Sequence, residues 1–180
     1  MRKTLQQGLL RAALSEPPPT RIDDPAVITL ARTLDGAAQR TLGRSLSLRT
    51  VDAGSCNGCE LEINALNNAF YDLERFGLRI VASPRHADVL TVTGPVTHNM
   101  RQALERTYHA MPHPKWVVAV GGCARDGGMF AASPLCAGGV AAVLPVDLWI
   151  AGCPPTPLAL LSGLLTLLRR PSSGGPPRGR

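Results

Sequence analysis

Apolar and polar residues follow two different rhythms along this 180-residue chain, and the change of rhythm divides it. Near the start, Leu5, Leu9, Leu10 and Leu14 recur at near-helical spacing among Arg2, Lys3 and Arg11, which predicts a short interfacial or partner-docking helix. Pro17-Pro18-Pro19 stops it, because proline has no N–H for a continuing helix. Asp24-Pro25 then has the form of a cap and first helical residue. Val27, Leu30, Ala31, Leu34, Ala38 and Leu42 share one face of the helix that follows. That apolar face fits either this chain's own body or a neighbouring protein.

From residue 46 the rhythm shortens. Residues 47–51 alternate as a strand, 60–73 are helical, and 78–82 and 88–93 are further strands. Thr97 caps a helix running to about Ala110, and 115–120 and 146–151 are continuous apolar strands. Thr156-Pro157 opens a last helix with Leu158, Leu161, Leu164, Leu165 and Leu168 in a stripe. Strands alternating with helices, and apolar on both faces, predict a parallel α/β sheet covered on both sides. Three regions follow: an arm over 1–45, a folded domain over 46–170, and a Pro/Ser/Gly/Arg tail over 171–180 expected to be disordered.

Charge sharpens that division. Residues 1–49 carry 8 basic and 4 acidic side chains, residues 169–180 carry 4 and none, and the body between carries 7 and 9. Basic arms on a mildly acidic body suit acidic partners or lipid headgroups. A nucleic-acid binder carries its charge on the folded face, so no nucleic-acid partner is expected. No run reaches the ~18 apolar residues of a membrane helix. Five cysteines, an odd number, without a secretory signal point to a reducing compartment.

The cysteines carry the chemistry. Cys56 and Cys59 form a Cys-x-x-Cys pair wrapped in Gly54, Ser55 and Gly58, directly after the first strand. Alone that pair is a weak signal, open to redox, zinc or buried-thiol readings. Cys123, in Gly121-Gly122-Cys123, follows the 115–120 strand, and Cys153, in Gly152-Cys153-Pro154-Pro155, follows the 146–151 strand. In a parallel sheet these loops share the carboxyl edge, where open α/β sheets place their sites. Four converging thiolates bind either zinc or an iron–sulfur cluster, and the chemistry alone leaves both open. Cys136 lies away from any strand end, in a long loop over 124–145, and is expected to be a spectator. That loop, with Met129-Phe130 as an apolar lip, is expected to wall the site or meet a partner. A flavin or nucleotide binder needs a Gly-x-Gly-x-x-Gly turn after the first strand, and none is present.

Five motifs in order carry a resemblance: Cys56-Asn-Gly-Cys59-Glu-Leu-Glu62-Ile; Phe76-Gly with Ser83-Pro-Arg-His-Ala-Asp88; Thr93-Gly-Pro-Val-Thr97 with Met100; Gly122-Cys123 with Gly127-Gly128; and Val146-Asp147 with Gly152-Cys153-Pro-Pro-Thr-Pro157. They resemble the 20 kDa (B) subunit family of NADH–quinone oxidoreductase. Within it they are similar to the small subunit of formate-hydrogenlyase-type (group 4) membrane-bound [NiFe] hydrogenases. The resemblance covers about 46–170 and implies a flavodoxin-like fold with one [4Fe–4S] cluster on Cys56, Cys59, Cys123 and Cys153. It implies no catalytic residue here, a large [NiFe] hydrogenase subunit against the cluster edge, a ferredoxin-like iron–sulfur subunit and membrane subunits. The complex is expected on the cytoplasmic face of the inner membrane. The nearest alternative is the 20 kDa component of an NADH–quinone oxidoreductase (complex I), which resembles this chain but has two adjacent cysteines where Cys56 and Cys59 stand separated here, as in the hydrogenases; the second is a zinc-stabilised, non-enzymatic adaptor. Glu62, three residues after Cys59, is expected to face the cluster edge as a proton relay, with Glu60 pointing elsewhere.

Overall fold

The computed structural model describes residues 25–169. The leucine-bearing segment around Leu5–Leu14 and the 171–180 tail lie outside the described residues. Five strands form one all-parallel sheet: β1 (Leu46–Asp52), β2 (Leu78–Ile80), β3 (Val89–Thr93), β4 (Trp116–Val120) and β5 (Leu148–Ile150). Their order is β2-β1-β3-β4-β5. That is the flavodoxin-like order, and the chain changes direction across the sheet between β1 and β3. Register pairs Val51 with Val92 and Val92 with Ala119, so the buried Val/Ala rows of neighbouring strands stack. β3 and β4 are buried along their whole length, as strands covered on both faces must be.

One face carries α1 (Pro25–Leu42), α2 (Gly58–Ala65) and α5 (Pro157–Arg169), packed over Leu46, Leu48, Val89, Val118 and Ile150. The other carries α3 (His98–Ala110), whose Leu104 is buried with Leu90, Val92 and Val117. Thr97 accepts the Met100 N–H and caps α3 as expected. A short α4 (Gly122–Asp126) follows β4.

The helix assigned by sequence to the arm belongs to the body. Val27, Ala31, Leu34, Ala37 and Ala38 of α1 are buried against α5 and the sheet. This also changes α5. Leu160 and Leu167 are buried together with Leu161, Leu164, Leu165 and Leu168, because α5 packs on both the sheet and α1 and is covered on two sides, while Leu158 is exposed.

The helix expected over 60–73 starts two residues earlier and stops at Ala65. Asn68 ends the helical path by accepting the N–H groups of Phe70 and Tyr71 on its own side chain, at 2.9 and 3.0 Å, and Asp72 takes a left-handed φ of 44°. The 124–145 loop is more structured than its composition suggests. It holds 3₁₀ turns at Gly128–Phe130 and Val140–Ala142 and pairs through Cys136 with Thr97. Away from the site, Asp88 is buried and takes a bidentate pair from Arg44 and the Ser47 N–H at 3.0 Å, tying β1 to the start of β3.

Candidate metal centre

Every loop at the carboxyl edge is held by backbone or carboxylate bonds. After β1, Asp52 accepts the N–H groups of Gly54 and Ser55 at 2.8 and 2.6 Å, and Ser55 Oγ accepts the Asn57 N–H. The Ala53 N–H donates to the Thr93 carbonyl, and Ala53 in turn accepts from Thr97 N–H and Oγ1. This stitches the Cys56 loop to the Gly94 loop across the β1/β3 switch point. They touch so closely that a Cβ on Gly94 (φ +71°) would lie 2.5 Å from Ser55. The Gly121 and Gly122 N–H groups donate to the carbonyls of Ile150 and Gly152, each at 2.9 Å, joining the two loops that carry single cysteines.

These stitches bring Cys56, Cys59, Cys123 and Cys153 around one cavity of about 70 Å³, completed by Gly94, Gly122 and Pro154. Cys56 and Cys153 are exposed; Cys59 and Cys123 are half-buried. Bare glycine flanks the sulfurs: a Cβ on Gly121 would stand 2.7 Å from Cys59 Sγ, and one on Gly128 2.6 Å from Cys123 Sγ. The cavity thus admits a group lying against sulfur where any side chain would intrude. Among the described residues, no three His, Cys, Asp or Glu side chains stand close enough together to share one metal ion. The thiols ring a space instead of meeting at a point.

Electrostatics agree with a ring of potential anions. Burial pushes the Cys59 thiol up to about 11, helped by the charges of Glu60, Cys56, Cys153 and Cys123. Cys123 is also raised, first by burial, then by Cys153, Cys56 and Asp126, against a bond from Met129 that lowers it. Four thiolates close together repel one another, and a cationic core among them relieves that repulsion. The donor set, the glycine flanks and the mutual repulsion fit a polynuclear iron–sulfur group.

Cys136 lies outside this cavity. It lines a neighbouring one of about 230 Å³ with Gly54, Thr97, Phe130 and Leu135, and its sulfur takes the Gly138 N–H. Glu60 departs from expectation. Both of its carboxylate oxygens are buried without a hydrogen-bond partner, and its charge acts on Cys59. Glu60 is three residues before Ile63, which is buried on the face of α2 that packs on the sheet. Glu62 is half-buried on the same helix. Sequence reasoning also passed over Asp52 and Trp149. The first was detectable, since Asp-x-Gly-Ser is a side-chain-capped turn. The second bonds the Gly121 carbonyl across strands and had no local signal.

The family described as NADH ubiquinone oxidoreductase, 20 Kd subunit, matches residues 56–167. A probable membrane-bound hydrogenase subunit of Pyrococcus furiosus is 44% identical over 129 residues, 72% of this chain and 77% of that one. Formate hydrogenlyase subunit 7 of Escherichia coli is 40% identical, covering 88% of this chain and 60% of that one. The B-type subunit of the Phocaeicola vulgatus NADH-quinone oxidoreductase is 48% identical over 71% of this chain and 65% of its own. The chain therefore spans under two thirds of the last two. A chain of the archaeal membrane-bound sulfane sulfur reductase superposes with a TM-score of 0.62 at 34% identity, over 76% of this chain and 73% of that one. These relatives are named as parts of redox complexes, two of them membrane-bound, and among the described residues no helix is long and apolar enough to cross a membrane. By sequence and by fold, the chain is a member of the NADH ubiquinone oxidoreductase 20 Kd subunit family.

Proposed function

We propose that this chain is the electron-transfer subunit of a membrane-associated [NiFe] hydrogenase complex. In this reading it holds one [4Fe–4S] cluster on Cys56, Cys59, Cys123 and Cys153. Electrons would come from a ferredoxin-like iron–sulfur subunit and go to the nickel–iron centre of a large subunit, or run in reverse. The observation that carries the reading is the ring of four thiols around one glycine-walled cavity at the sheet's carboxyl edge. A bound [4Fe–4S] cluster takes up and releases one electron at a time. Cys56 and Cys59 hold one side from the turn into α2, and Cys123 and Cys153 the other from two cross-bonded loops. In this reading each thiolate takes its own iron of the cluster, whereas a zinc ion would need all four to converge on it.

Leu61, Met129, Phe130 and Leu135 are exposed on α2 and the 124–145 loop, Met129 at 86%, and form the surface assigned to the large subunit. Basic residues of the first 24 positions are assigned to membrane subunits or headgroups, on the cytoplasmic face. Glu62, one helical turn from Cys59, is assigned a proton-relay role near the site.

A second reading, the 20 kDa component of an NADH–quinone oxidoreductase, is favoured by the 48% identity to the Phocaeicola protein. The Cys56-x-x-Cys59 spacing, which resembles that of the hydrogenases, favours the first. The complex purified anaerobically with its partners decides between them: hydrogen evolution from a reduced viologen supports the first reading. Quinone reduction without hydrogen evolution overturns it. Zinc without iron leaves the adaptor.

A further inference from the structure

The two cysteines that arrive singly are joined by more than backbone. Trp149 lies on edge strand β5, four residues before Cys153, and is 37% exposed, where burial alone does not call for a large aromatic side chain. Its indole Nε1–H donates to the Gly121 carbonyl at 2.9 Å. The guanidinium of Arg125 lies over the same ring, 4.5 Å from its centroid. One side chain therefore holds the Cys123 turn at both ends: the carbonyl two residues before the cysteine and the cation two residues after it. It does so from the strand that delivers Cys153.

Gly121 is the sensitive point of this clamp. Its φ is +89°, and its Cα faces Cys59 Sγ with no room for a methyl group between them. A reoriented Gly121 peptide thus alters the surroundings of Cys59 as well as of Cys123 and Cys153. A carbonyl released from the indole is free to turn its negative end toward the sulfurs. A released Arg125 takes its positive charge away from the turn. Both changes make it harder to add an electron to a group already ringed by thiolates.

We propose that Trp149 is a positioning residue that sets how readily the site accepts an electron, by fixing the Gly121 carbonyl and holding the Arg125 charge beside the Cys123 turn. The proposal rests on the cluster reading above. The step concerned is the transfer of one electron from a viologen mediator, which is oxidised, to the cluster, which is reduced, with no bond made or broken.

The test is an EPR-monitored redox titration of the complex carrying Trp149→Phe, which keeps the ring under Arg125 and removes only the N–H. Full iron content with at least a threefold fall in the reduced-to-oxidised ratio, at the wild-type midpoint, is expected. Arg125→Gln should fall in the same direction and Arg125→Lys should stay within twofold of wild type. Full iron with an unchanged ratio in Trp149→Phe overturns the proposal. If Trp149→Phe fails to load iron, Arg125→Gln decides, a threefold fall supporting the proposal and no change overturning it. A wild-type complex without an iron–sulfur signal overturns the cluster reading itself, and this inference with it.

Discussion

Replacing Gly121 by alanine tests whether the glycine wall exists to serve the sulfurs, and Gly43→Ala provides the matched control. Both glycines have positive φ, +89° and +69°, and Gly121, with ψ 165°, lies in a region that only glycine enters freely. An L-residue costs about 1–2 kcal/mol in left-handed backbone and about 1–3 kcal/mol in the region of Gly121. At Gly43, in the turn after α1, nothing lies within 4 Å of the added Cβ, so the backbone cost is the whole effect. In a domain of this size that lowers the melting temperature by roughly 3–6 °C. At Gly121 the new Cβ lies 2.7 Å from Cys59 Sγ, against the 3.4 Å at which ordinary contact begins. The loop or the sulfur must move by about 0.7 Å, and overpacking of this kind adds ~1–3 kcal/mol. Metal sites tolerate roughly 0.2 Å of misplacement, so cluster loading should suffer more than the fold. The assay pairs thermal unfolding of the iron-free proteins with iron and sulfide content after anaerobic purification. Gly43→Ala should keep full iron, and Gly121→Ala should lose at least ~10-fold while still unfolding cooperatively. Wild-type iron in Gly121→Ala, or equal iron loss in both, refutes the reasoning.

Asp88→Ala removes the buried acceptor of Arg44 and the Ser47 N–H. Because Arg44 is 44% exposed and regains water, the cost should be ~2–3 kcal/mol, below that of a fully buried pair, with iron content unchanged since Asp88 precedes β3 and the site follows it. Denaturant unfolding checks this. The iron-free fold should lose stability as pH rises from about 9 towards 11, because folded Cys59 holds its proton up to about 11 against an unfolded value of 9.0, so the native state binds more protons across that window. The cluster-loaded protein, whose thiolates have already released their protons, should not show this loss in the same pH-dependent melts. Glu62→Gln should keep the reduced-cluster signal but slow hydrogen evolution by at least ~10-fold; normal turnover would leave Glu62 a structural role.

The residues most legible in the sequence were those whose environment is uniform. β3 and β4 read as buried strands because every position is apolar or Thr, and strand–helix alternation then required parallel strands. That rule alone placed Cys56, Cys59, Cys123 and Cys153 at one edge, although the last three are separated by long stretches of chain. The end of α2 was not legible, because Asn67-Asn68 is tolerable in a helix until the Asn68 side chain captures two N–H groups. Whether α1 packed on this chain was equally hidden: its apolar face is the same whoever covers it, and only the second apolar side of α5 supplies the answer. Spacing from Cys59 alone points Glu60 away from the site. Ile63, one turn on, faces the sheet and carries Glu60 inward with it. The Trp149–Gly121 bond depends on the register of β4 against β5, which no local pattern encodes.

The most direct test of the central claim is the EPR signal and iron content of five single-cysteine variants of the anaerobically purified complex. Cys56→Ala, Cys59→Ala, Cys123→Ala and Cys153→Ala should each lose the reduced [4Fe–4S] signal, since three thiolates leave one iron without its protein ligand. Cys136→Ala should keep both signal and iron, because its sulfur lies in the neighbouring cavity. Loss of the cluster in Cys136→Ala with retention in Cys153→Ala would contradict the account.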